Sequence, residues 1–362
     1  MAAERARTRL VVLFGGVSAE HDVSCTTAAH VLRAVDPERY ELVPVAVTTE
    51  GEWVLSEGTA KALAEGSASL PPTLSTEGPA VDPLPTVTPA RAGEQVVVFP
   101  LIHGPLGEDG TVQGLLELAD VAYVGSGVLG SALCMDKAMA KVVTGAVGIT
   151  QPRHLAARDT DADHAFATRV ADELGFPVFV KPSNLGSSIG ITKAHDAAAL
   201  RTAMATALAY DEWVLVEEAV VGREIEVAVL GNADPDLGAG RDPPSHDFYD
   251  YDDKYIDGNA ELLIPAPLRR RHRRGPRPGP PGLCRAALRR AGPRRLLLRG
   301  GRPGFLLNEV NTLPGFVPIS MYPSLWQASG VGYPELVDEL VRLAVERHVH
   351  RRGHGRPRPT AV

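Results

Sequence analysis

Two segments combine residue types that could bind the phosphates and the base of a nucleotide. KPSNLGSSIG (Lys181–Gly190) ends a predicted strand with a lysine, and the small residues after it let backbone N–H groups approach a polyphosphate. Because the lysine precedes the glycines, this is not the GxxxxGK[ST] loop, and alone it is equally well interpreted as a flexible hairpin. LVEEAVVGREIEV (Leu215–Val227) carries Glu217, Glu218 and Glu224, whose carboxylates could accept hydrogen bonds from an adenine amino group or ribose hydroxyls. Solvated charges on alternating strand faces are the competing interpretation.

A third segment, NEVNTLPGF (Asn308–Phe316), has the composition of a divalent-cation site. Glu309 and Asn311 are two positions apart on a predicted strand, so they point to the same face. Their oxygens suit hard cations, and Mg²⁺ bridging phosphates is the common use of such a pair. Gly315 lets a ligand approach the backbone closely.

Two loops near the N-terminus complete the candidate residues. Glu20, in GGVSAEHD, lies near a predicted helix start and would suit a cationic ligand such as an amino group. His103, in HGPLGEDG, has no partner at metal-ligand spacing. The loop GGVSAEHD, which follows the first predicted strand, does not carry the fingerprint GxGxxG, and that argues against a dinucleotide-binding oxidoreductase.

The elements that position these residues alternate between strands and helices. This order predicts a parallel, doubly wound sheet at the N-terminus, with ligand residues just after the C-terminal ends of strands. The predicted strands are Leu10–Phe14, Glu41–Val47, Val96–Leu101, Pro177–Val180, Trp213–Glu218, Glu224–Leu230 and Phe305–Asn311, and the predicted helices include Ser24–Val35, Thr111–Leu118 and Tyr333–Val349.

Length and composition describe a protein that can build a core. The chain has 362 residues, 44% hydrophobic and 22% charged, with three cysteines. No apolar run approaches the roughly 20 residues of a membrane-spanning helix, and MAAERARTRL is unlike a secretory signal. These features exclude secreted, membrane and fibrous classes and predict a cytoplasmic enzyme.

The positive charge is concentrated in one segment. Arg269–Arg302 holds 13 arginines, five prolines and no acid, whereas the whole chain has a net charge of −7 and only six lysines. A block of like charges with this composition cannot bury much apolar surface, so we expect it to lack the helix and strand that a core would need. A nucleic-acid-binding arm is one interpretation, and a local reading-frame error in a GC-rich gene is the one we favour.

The motifs occur in register in one family. GGVSAEHDVS, HGPLGEDG, the MDK at Met135–Lys137, VKPSNLGSSIG, EEAVVGREIEV, FYDYDDKY and LLNEVNTLPGF together resemble the D-alanine–D-alanine ligases of the ATP-grasp superfamily. The resemblance covers Leu10 to about Leu268 and Phe305 to about His348. It implies α/β and α+β architecture: an ATP-grasp fold with an N-terminal Rossmann-like (pre-ATP-grasp) domain.

The resemblance also implies three domains. They are an N-terminal substrate domain (1–135), a central ATP-grasp subdomain (136–217) and a C-terminal ATP-grasp subdomain (218–350, with 269–304 anomalous). We expect residues 351–362 to form a disordered tail.

The resemblance further implies a role for each matching residue. Glu20 would hold the ammonium group of the first D-alanine and connect through Ser187 to Tyr255, with His103 near this substrate. Gly315 would supply an oxyanion N–H, Ser320 would contact the second substrate's carboxylate, and Arg294 would be catalytic. The implied ATP-binding residues are Lys137, Lys181, Ser188, Glu217, Glu218, Glu224 and Lys254.

The implied cofactors and partners are ATP, D-alanine and two Mg²⁺ or Mn²⁺ ions held by Glu309 and Asn311. Nucleic acid and membranes are not expected as partners, and a homodimer is expected by analogy with the family. The resemblance also implies that Tyr255 favours an amine over lactate as second substrate. A D-alanine–D-lactate ligase and a non-catalytic nucleotide-binding protein with a basic arm stay open as alternatives.

One departure from the family concerns the metal site. Counting back from Glu309, Arg294 occupies the arginine of the family's usual RVDFF, but Leu296 stands where its metal-binding Asp is expected. The codons for Pro293–Leu298, read one base later, accommodate Arg-Val-Asp-Phe-Phe. We therefore hypothesise two compensating frame errors, near Leu268 and before Phe305, and expect weak or no activity of the chain as written.

Overall fold

The structure is a computed structural model that describes residues 7–232, 236–241, 264, 292–299, 304–317 and 320–355. Its strands are β1 (Thr8–Gly15), β2 (Tyr40–Val47), β3 (Trp53–Leu55), β4 (Val96–Pro100), β5 (Ala122–Tyr123), β6 (His154–Arg158), β7 (Val178–Pro182), β8 (Thr192–Ala194), β9 (Trp213–Glu218), β10 (Gly222–Leu230), β11 (Asp236–Arg241), β12 (Gly292–Arg299) and β13 (Phe305–Val310). Its helices are α1 (His21–Ala34), α2 (Glu57–Glu65), α3 (Pro83–Val87), α4 (Thr111–Leu118), α5 (Val128–Met135), α6 (Lys137–Ala146), α7 (His164–Glu173), α8 (Ala197–Leu208), α9 (Met321–Ala328) and α10 (Tyr333–Gly355).

The chain divides into two compact units. Unit 1 contains Met1–Val128, Leu230–Asp236 and Leu313–Val362, and unit 2 contains Leu129–Val229 and Leu237–Thr312. The expected three-domain division stays a prediction. Among the residues described, no helix is long and apolar enough to cross a bilayer.

Unit 1 is built on a sheet with strand order β3-β2-β1-β4-β5. β1 pairs in parallel with β2 and β4, and β4 pairs in parallel with β5, which confirms the predicted doubly wound sheet. Leu10–Phe14 are completely buried, because both faces of a parallel sheet are covered. The strand order reverses direction between β1 and β4, and ligands bind at such switch points.

Unit 2 contains two four-stranded sheets. One has the order β6-β9-β7-β8 with antiparallel pairs, and its core includes Val180, Val214, Val216 and Leu200. The other has the order β11-β10-β12-β13. This mixture of a parallel α/β sheet and antiparallel sheets confirms the predicted fold class.

The arginine-rich segment corrects one expectation. We expected 269–304 to lack a strand, but Gly292–Arg299 forms β12 and pairs antiparallel with both β10 and β13. The ladder uses backbone groups that every non-proline residue carries, and Leu296–Leu298 is a strand-compatible apolar run. An arginine-rich composition therefore does not by itself remove the strand.

The C-terminal helix corrects a second expectation. α10 continues to Gly355, so residues 351–355 are helical and do not belong to a disordered tail. Residues 356–362 lie outside the part described. The helix is extended by ion pairs, since Arg351 pairs with Glu117 and Arg352 Nη2 lies 2.9 Å from Asp120 Oδ2.

Candidate active site

The first cluster of candidate residues lies in unit 2 and centres on Glu217. This carboxylate is buried at the end of β9, opposite Phe179 of β7, and Lys181 follows two residues later on β7. Lys181 Nζ lies 2.5 Å from Glu217 Oε2, and Lys141 of α6 forms an ion pair with Oε1. Each oxygen of one buried carboxylate thus has its own ammonium partner.

The charges of this cluster stabilise one another. Burial alone would raise the pKa of Glu217, but the ammonium groups of Lys181 and Lys141 outweigh it and lower that pKa to about 2. Burial alone would lower the pKa of Lys181, but the carboxylates of Glu217, Glu309 and Glu224 outweigh it and raise that pKa. Lys181 is therefore a buried cation that nearby acids stabilise in its charged form.

The neighbourhood of Lys181 contains the other acids that the sequence predicts. Asn308 Oδ1 lies 3.5 Å from Lys181 Nζ, next to Glu309 on β13. Glu224 Oε2 is buried and has no hydrogen-bond partner among the residues described. A buried acceptor without a donor is energetically costly, and a ligand hydroxyl would satisfy it.

The lysine loop after β7 has an unusual backbone. Ser187 and Ser188 have φ of +48° and +62°, a region that non-glycine residues rarely occupy. Such strain is found at sites where the backbone must present its N–H groups to a ligand. Lys137 reaches this loop, because its Nζ donates to the carbonyl of Leu185.

The start of α6 is fixed to the same loop. Asp136 caps the helix by accepting from the N–H of Met139 at 3.0 Å, and it also accepts from Ser183 Oγ at 2.7 Å. Ser183 Oγ accepts in turn from the N–H of Ala138 at 3.0 Å. The MDK motif therefore holds Lys137 at the lysine loop through a helix cap.

Glu218 differs from its neighbour. Its carboxylate accepts from the N–H of Arg153 at 3.1 Å and from the Nε of Arg153 at 3.0 Å. The backbone N–H of Glu218 donates to the Arg153 carbonyl at 2.9 Å. The side chain is thus engaged with Arg153, while Glu217 faces the two lysines.

The candidate metal ligands lie at the end of β13. Glu309 belongs to the strand, and Asn311 follows it and is exposed. Among the described residues, no group of three or more His, Cys, Asp or Glu side chains could hold a metal ion. The oxygen donors fit Mg²⁺ or Mn²⁺, but further ligands must come from elsewhere, such as bound phosphate.

A second cluster lies in unit 1, at the switch point of the parallel sheet. Glu20 follows β1, and His103 follows β4; both side chains are buried. Ser18 connects their loops, because its Oγ donates to the His103 carbonyl at 2.7 Å and accepts from the N–H of Glu20 at 3.2 Å. Burial lowers the pKa of His103, although the nearby carboxylate of Glu20 opposes the shift.

The glycine between these loops makes room for the carboxylate. A Cβ on Gly104 would lie 2.9 Å from Glu20 Oε2 and 3.2 Å from Ser18 Oγ, and its φ is +77°. Only glycine fits both this conformation and this approach. His103 Nε2 is buried and has no hydrogen-bond partner among the residues described, so it is available to a ligand.

Gly315 and Ser320 form a third group, also in unit 1. A Cβ on Gly315 would lie 2.8 Å from Ser320 Oγ, so the serine hydroxyl is next to the glycine backbone. Ser320 is the residue before α9, and its hydroxyl does not cap that helix. Phe316 anchors the segment through edge-on ring contacts with Phe99 at 5.6 Å and Tyr322 at 5.8 Å.

Three predicted residues cannot be placed in these clusters. Lys254 and Tyr255 lie outside the described residues. Arg294 lies on β12, opposite Val310 in the ladder. Sequence reasoning also missed two residues, Lys141 and Ser18; Lys141 is one helical turn after Lys137, and this i, i+4 spacing was the signal that could have identified it.

Comparison with known proteins gives concordant results. Residues 9–126 match the family described as D-ala D-ala ligase N-terminus, and residues 143–342 match D-ala D-ala ligase C-terminus. The chain is 41% identical to a D-alanine–D-alanine ligase of Geobacillus kaustophilus, over 94% of this chain and 96% of the relative. It is 44% identical to one of Kineococcus radiotolerans, over 94% of this chain and 97% of the relative.

Solved structures agree with the sequence comparisons. The D-alanine-D-alanine ligase from Coxiella burnetii matches with a TM-score of 0.76 and 27% identity, over 96% of this chain and 98% of that protein. The VanG D-Ala:D-Ser ligase of Enterococcus faecalis matches with a TM-score of 0.75 and 30% identity, over 93% of this chain and 99% of that protein. The similarity therefore extends over nearly the whole fold.

Proposed function

The chain belongs to the D-alanine–D-alanine ligase family, and from this we propose that it joins two D-alanines to D-alanyl-D-alanine with ATP, for peptidoglycan precursors in the cytoplasm. The γ-phosphoryl group passes from ATP to the carboxylate of the first D-alanine, giving ADP and an acylphosphate. The amine of the second D-alanine attacks the carbonyl carbon of the acylphosphate and forms the C–N bond of a tetrahedral intermediate. The amine loses a proton, and the intermediate then expels phosphate to give the peptide.

The observation that carries the proposal is the buried Lys181 ammonium between Glu217 and the acids of β10 and β13. Phosphoryl transfer requires positioned cations more than a covalent nucleophile. Lys181 and Lys137 would contact the nucleotide phosphates beside the N–H groups of Ser187 and Ser188. Glu217 and the backbone after it would line the adenine pocket.

Side chains of unit 2 could bind the ribose of the nucleotide and the metal ion. The unpartnered Glu224 Oε2 supports a contact with a ribose hydroxyl. A bound Mg²⁺ or Mn²⁺ supplies charge neutralisation across the phosphates. Glu309 and Asn311 would hold it, and two ions per site are expected from the resemblance.

The substrate residues are assigned to unit 1. Glu20 would bind the ammonium group of the first D-alanine, with neutral His103 beside it as a hydrogen-bonding group. Ser320, ahead of α9, would contact the carboxylate of the second D-alanine, and the N–H of Gly315 would stabilise the oxyanion. A closed site protects the acylphosphate from water.

The test compares the full chain as written with a version in which residues 269–304 carry the frame-corrected translation. We expect ADP, phosphate and D-alanyl-D-alanine in equal amounts, with much faster turnover in the corrected version. Mass spectrometry identifies the product, and D-lactate and D-serine are offered beside D-alanine as second substrates. Failure of both versions to form a D-alanine-dependent product would refute the proposal.

The outcomes also separate the alternatives. An ester product from D-lactate at neutral pH would indicate a D-alanine–D-lactate ligase. ATP binding without turnover, together with DNA binding that weakens steeply with salt, would indicate a nucleotide-binding protein with a basic arm. A homodimer is tested by sedimentation of the same samples.

A further inference from the structure

Lys141 is a buried lysine to which the proposed reaction assigns no role. It lies on α6, one turn after Lys137, and its side chain is only 4% exposed. Its ammonium pairs with Glu217 Oε1, and it makes no other ion pair among the described residues. Its backbone carbonyl accepts from Gln151 Nε2 at 2.8 Å, so the helix turn that carries it is fixed.

The pairing on the other oxygen of Glu217 is different in kind. Lys181 Nζ lies 2.5 Å from Glu217 Oε2 and 3.5 Å from Asn308 Oδ1, and the negative charges of Glu224 and Glu309 also act on it. Lys181 therefore has a second hydrogen-bond partner, Asn308, and further acidic neighbours besides Glu217. In the part of the chain described, Lys141 forms an ion pair only with Glu217.

Moving Lys181 to a phosphate has a consequence for Glu217. Removing one partner from a buried pair leaves an uncompensated charge, which is strongly unfavourable. With Lys141 in place, Glu217 keeps one ammonium partner and stays ionised when Lys181 turns to the nucleotide. Without Lys141, Lys181 would be the one cation paired with Glu217 among the residues that the structure describes.

We propose that Lys141 is a positioning residue for nucleotide phosphates: by holding Glu217 Oε1, it frees Lys181 to bind the phosphate chain. This inference rests on the proposed function, since it presumes that Lys181 meets phosphates. In this role Lys141 acts through Glu217 and needs no contact of its own with the nucleotide or the substrate. Its effect is on the competition between Glu217 and phosphate for a single ammonium.

A purely structural ion pair makes a different prediction. If Lys141 only supports the shape of the pocket, its loss weakens every ligand of that pocket. If it frees Lys181, its loss weakens ligands with phosphates and spares those without them. Comparing ADP with adenosine separates the two roles, because they share base and ribose.

The experiment measures the affinity of the full chain for Mg²⁺–ADP and for adenosine by competition with a fluorescent ADP analogue. In Lys141→Met we expect ADP to bind about tenfold or more weakly, which corresponds to ~1.4 kcal/mol. Adenosine affinity should stay within about twofold. Lys141→Arg, which keeps the charge, should retain ADP binding within about threefold.

A double variant tests the cause. In Lys141→Met/Glu217→Gln the carboxylate that competes for Lys181 is gone, so the ratio of ADP to adenosine affinity should return toward that of the unaltered chain. The ratio cancels any change in adenine contacts that the Glu217→Gln substitution causes. Lys193→Met is the matched control, because Lys193 lies in the same unit over the ring of Phe179 at 5.8 Å and is not one of the two ammonium partners of Glu217.

Several results would overturn the inference. Equal weakening of ADP and adenosine by Lys141→Met indicates a structural role, and unchanged ADP binding indicates no role. A double variant with an unrestored ratio rejects competition by Glu217. If the unaltered chain binds no ADP, the proposed function fails together with the inference, whereas ADP binding that Lys141→Met leaves unchanged rejects the inference alone. Lys141→Gln replaces Lys141→Met if the latter does not fold.

Discussion

Arg295 lies directly opposite Glu309 in the antiparallel ladder of β12 and β13, and Leu296 lies opposite Leu307. The register shifts between Arg295 and Leu296, so a bulge separates the two pairs. Counting along the sequence assigns the missing metal-binding Asp to position 296. The ladder instead brings position 295 across from Glu309, where a carboxylate could share an ion with it.

This register predicts that Arg295→Asp improves metal binding more than Leu296→Asp. An added carboxylate next to Glu309 should tighten Mn²⁺ binding by about tenfold or more, because ligand charge tunes such sites over decades. Electron paramagnetic resonance of free Mn²⁺, titrated with ADP present, measures it. Arg299→Asp, at the far end of β12, is the control. Stronger Mn²⁺ binding in Leu296→Asp than in Arg295→Asp would favour position 296, given by counting along the sequence, over position 295, given by the strand pairing.

Sequencing codons 260–310 of the source gene tests the frame hypothesis directly. We expect two compensating frame changes and an Asp codon at position 295 or 296. An uninterrupted frame as written would reject the hypothesis and leave a ligase with an altered metal site.

Glu217 should contribute strongly to the stability of unit 2. Glu217→Ala would leave the ammonium groups of Lys141 and Lys181 buried without their shared partner, at a cost of about 3–5 kcal/mol. Urea unfolding of the full chain, followed by a probe in unit 2, measures the loss. Glu212→Ala is the control: its pair with Arg158, at 2.6 Å, is solvent-exposed, so a much smaller loss of stability is expected.

The same residue predicts an acid-sensitive component of stability. Because the pKa of Glu217 is lowered from its ordinary 4.5 to about 2, the folded state binds fewer protons between these values. Its contribution is complete above pH 4.5 and is lost as the pH falls toward 2. Glu217→Gln should remove up to ~1.4 kcal/mol per pH unit from the slope of unfolding free energy in this window. An unchanged slope would contradict the assignment of this charge.

His103 predicts a second dependence, at higher pH. Burial lowers its pKa below the ordinary 6.5, so the unfolded chain takes up a proton before the folded chain does. The stabilising contribution is complete above pH 6.5 and declines as the pH falls below it. His103→Gln should flatten this slope by up to ~1.4 kcal/mol per pH unit. His164→Gln, at the exposed start of α7, should leave it unchanged.

Two glycines with the same φ make it possible to measure backbone strain and steric contact separately. Gly104 and Gly148 both have φ of +77°, but a Cβ on Gly148 meets nothing within 4 Å. Gly148→Ala should therefore cost only the ~1 kcal/mol of the left-handed conformation. Gly104→Ala should also displace Glu20 and raise the KM for the first D-alanine about tenfold or more. Equal KM values in both variants would argue against Glu20 as the ammonium ligand.

The sequence predicted regular elements well where periodicity was strong. α4 and β9 occupy the predicted residues Thr111–Leu118 and Trp213–Glu218, because apolar spacing and flanking polar residues agree there. Lys141 was missed because a lysine on a helix usually faces solvent, and only the strand carrying Glu217 makes its burial favourable. β12 was missed because its composition argues against a core, while its ladder depends on backbone pairing with β10 and β13.

Sequence spacing also failed for tertiary details. That Glu218 turns to Arg153 while Glu217 turns to the lysines depends on the alternation of β9 and on which neighbour each face meets. The bulge at Arg295 shifts the partner of every residue beyond it. Neither the side-chain direction of Glu218 nor the bulge can be predicted from the number of residues that separate two motifs.

The chain leaves unit 1 after Val128, re-enters it over the short segment Leu230–Asp236 and returns to it for the last time at Leu313. On return, Arg347 of α10 is buried; its Nη2 donates to the Tyr123 carbonyl at 2.6 Å, and its guanidinium stacks over the Tyr123 ring at 4.2 Å. During synthesis on the ribosome, α10 can therefore pack onto the segment Met1–Val128 only after unit 2 has been made. A single uncompensated frame change between Val128 and Leu313 would replace the sequence of α10 and so deprive unit 1 of its last helix. The folding of the residues made first therefore depends on the reading frame of residues made much later.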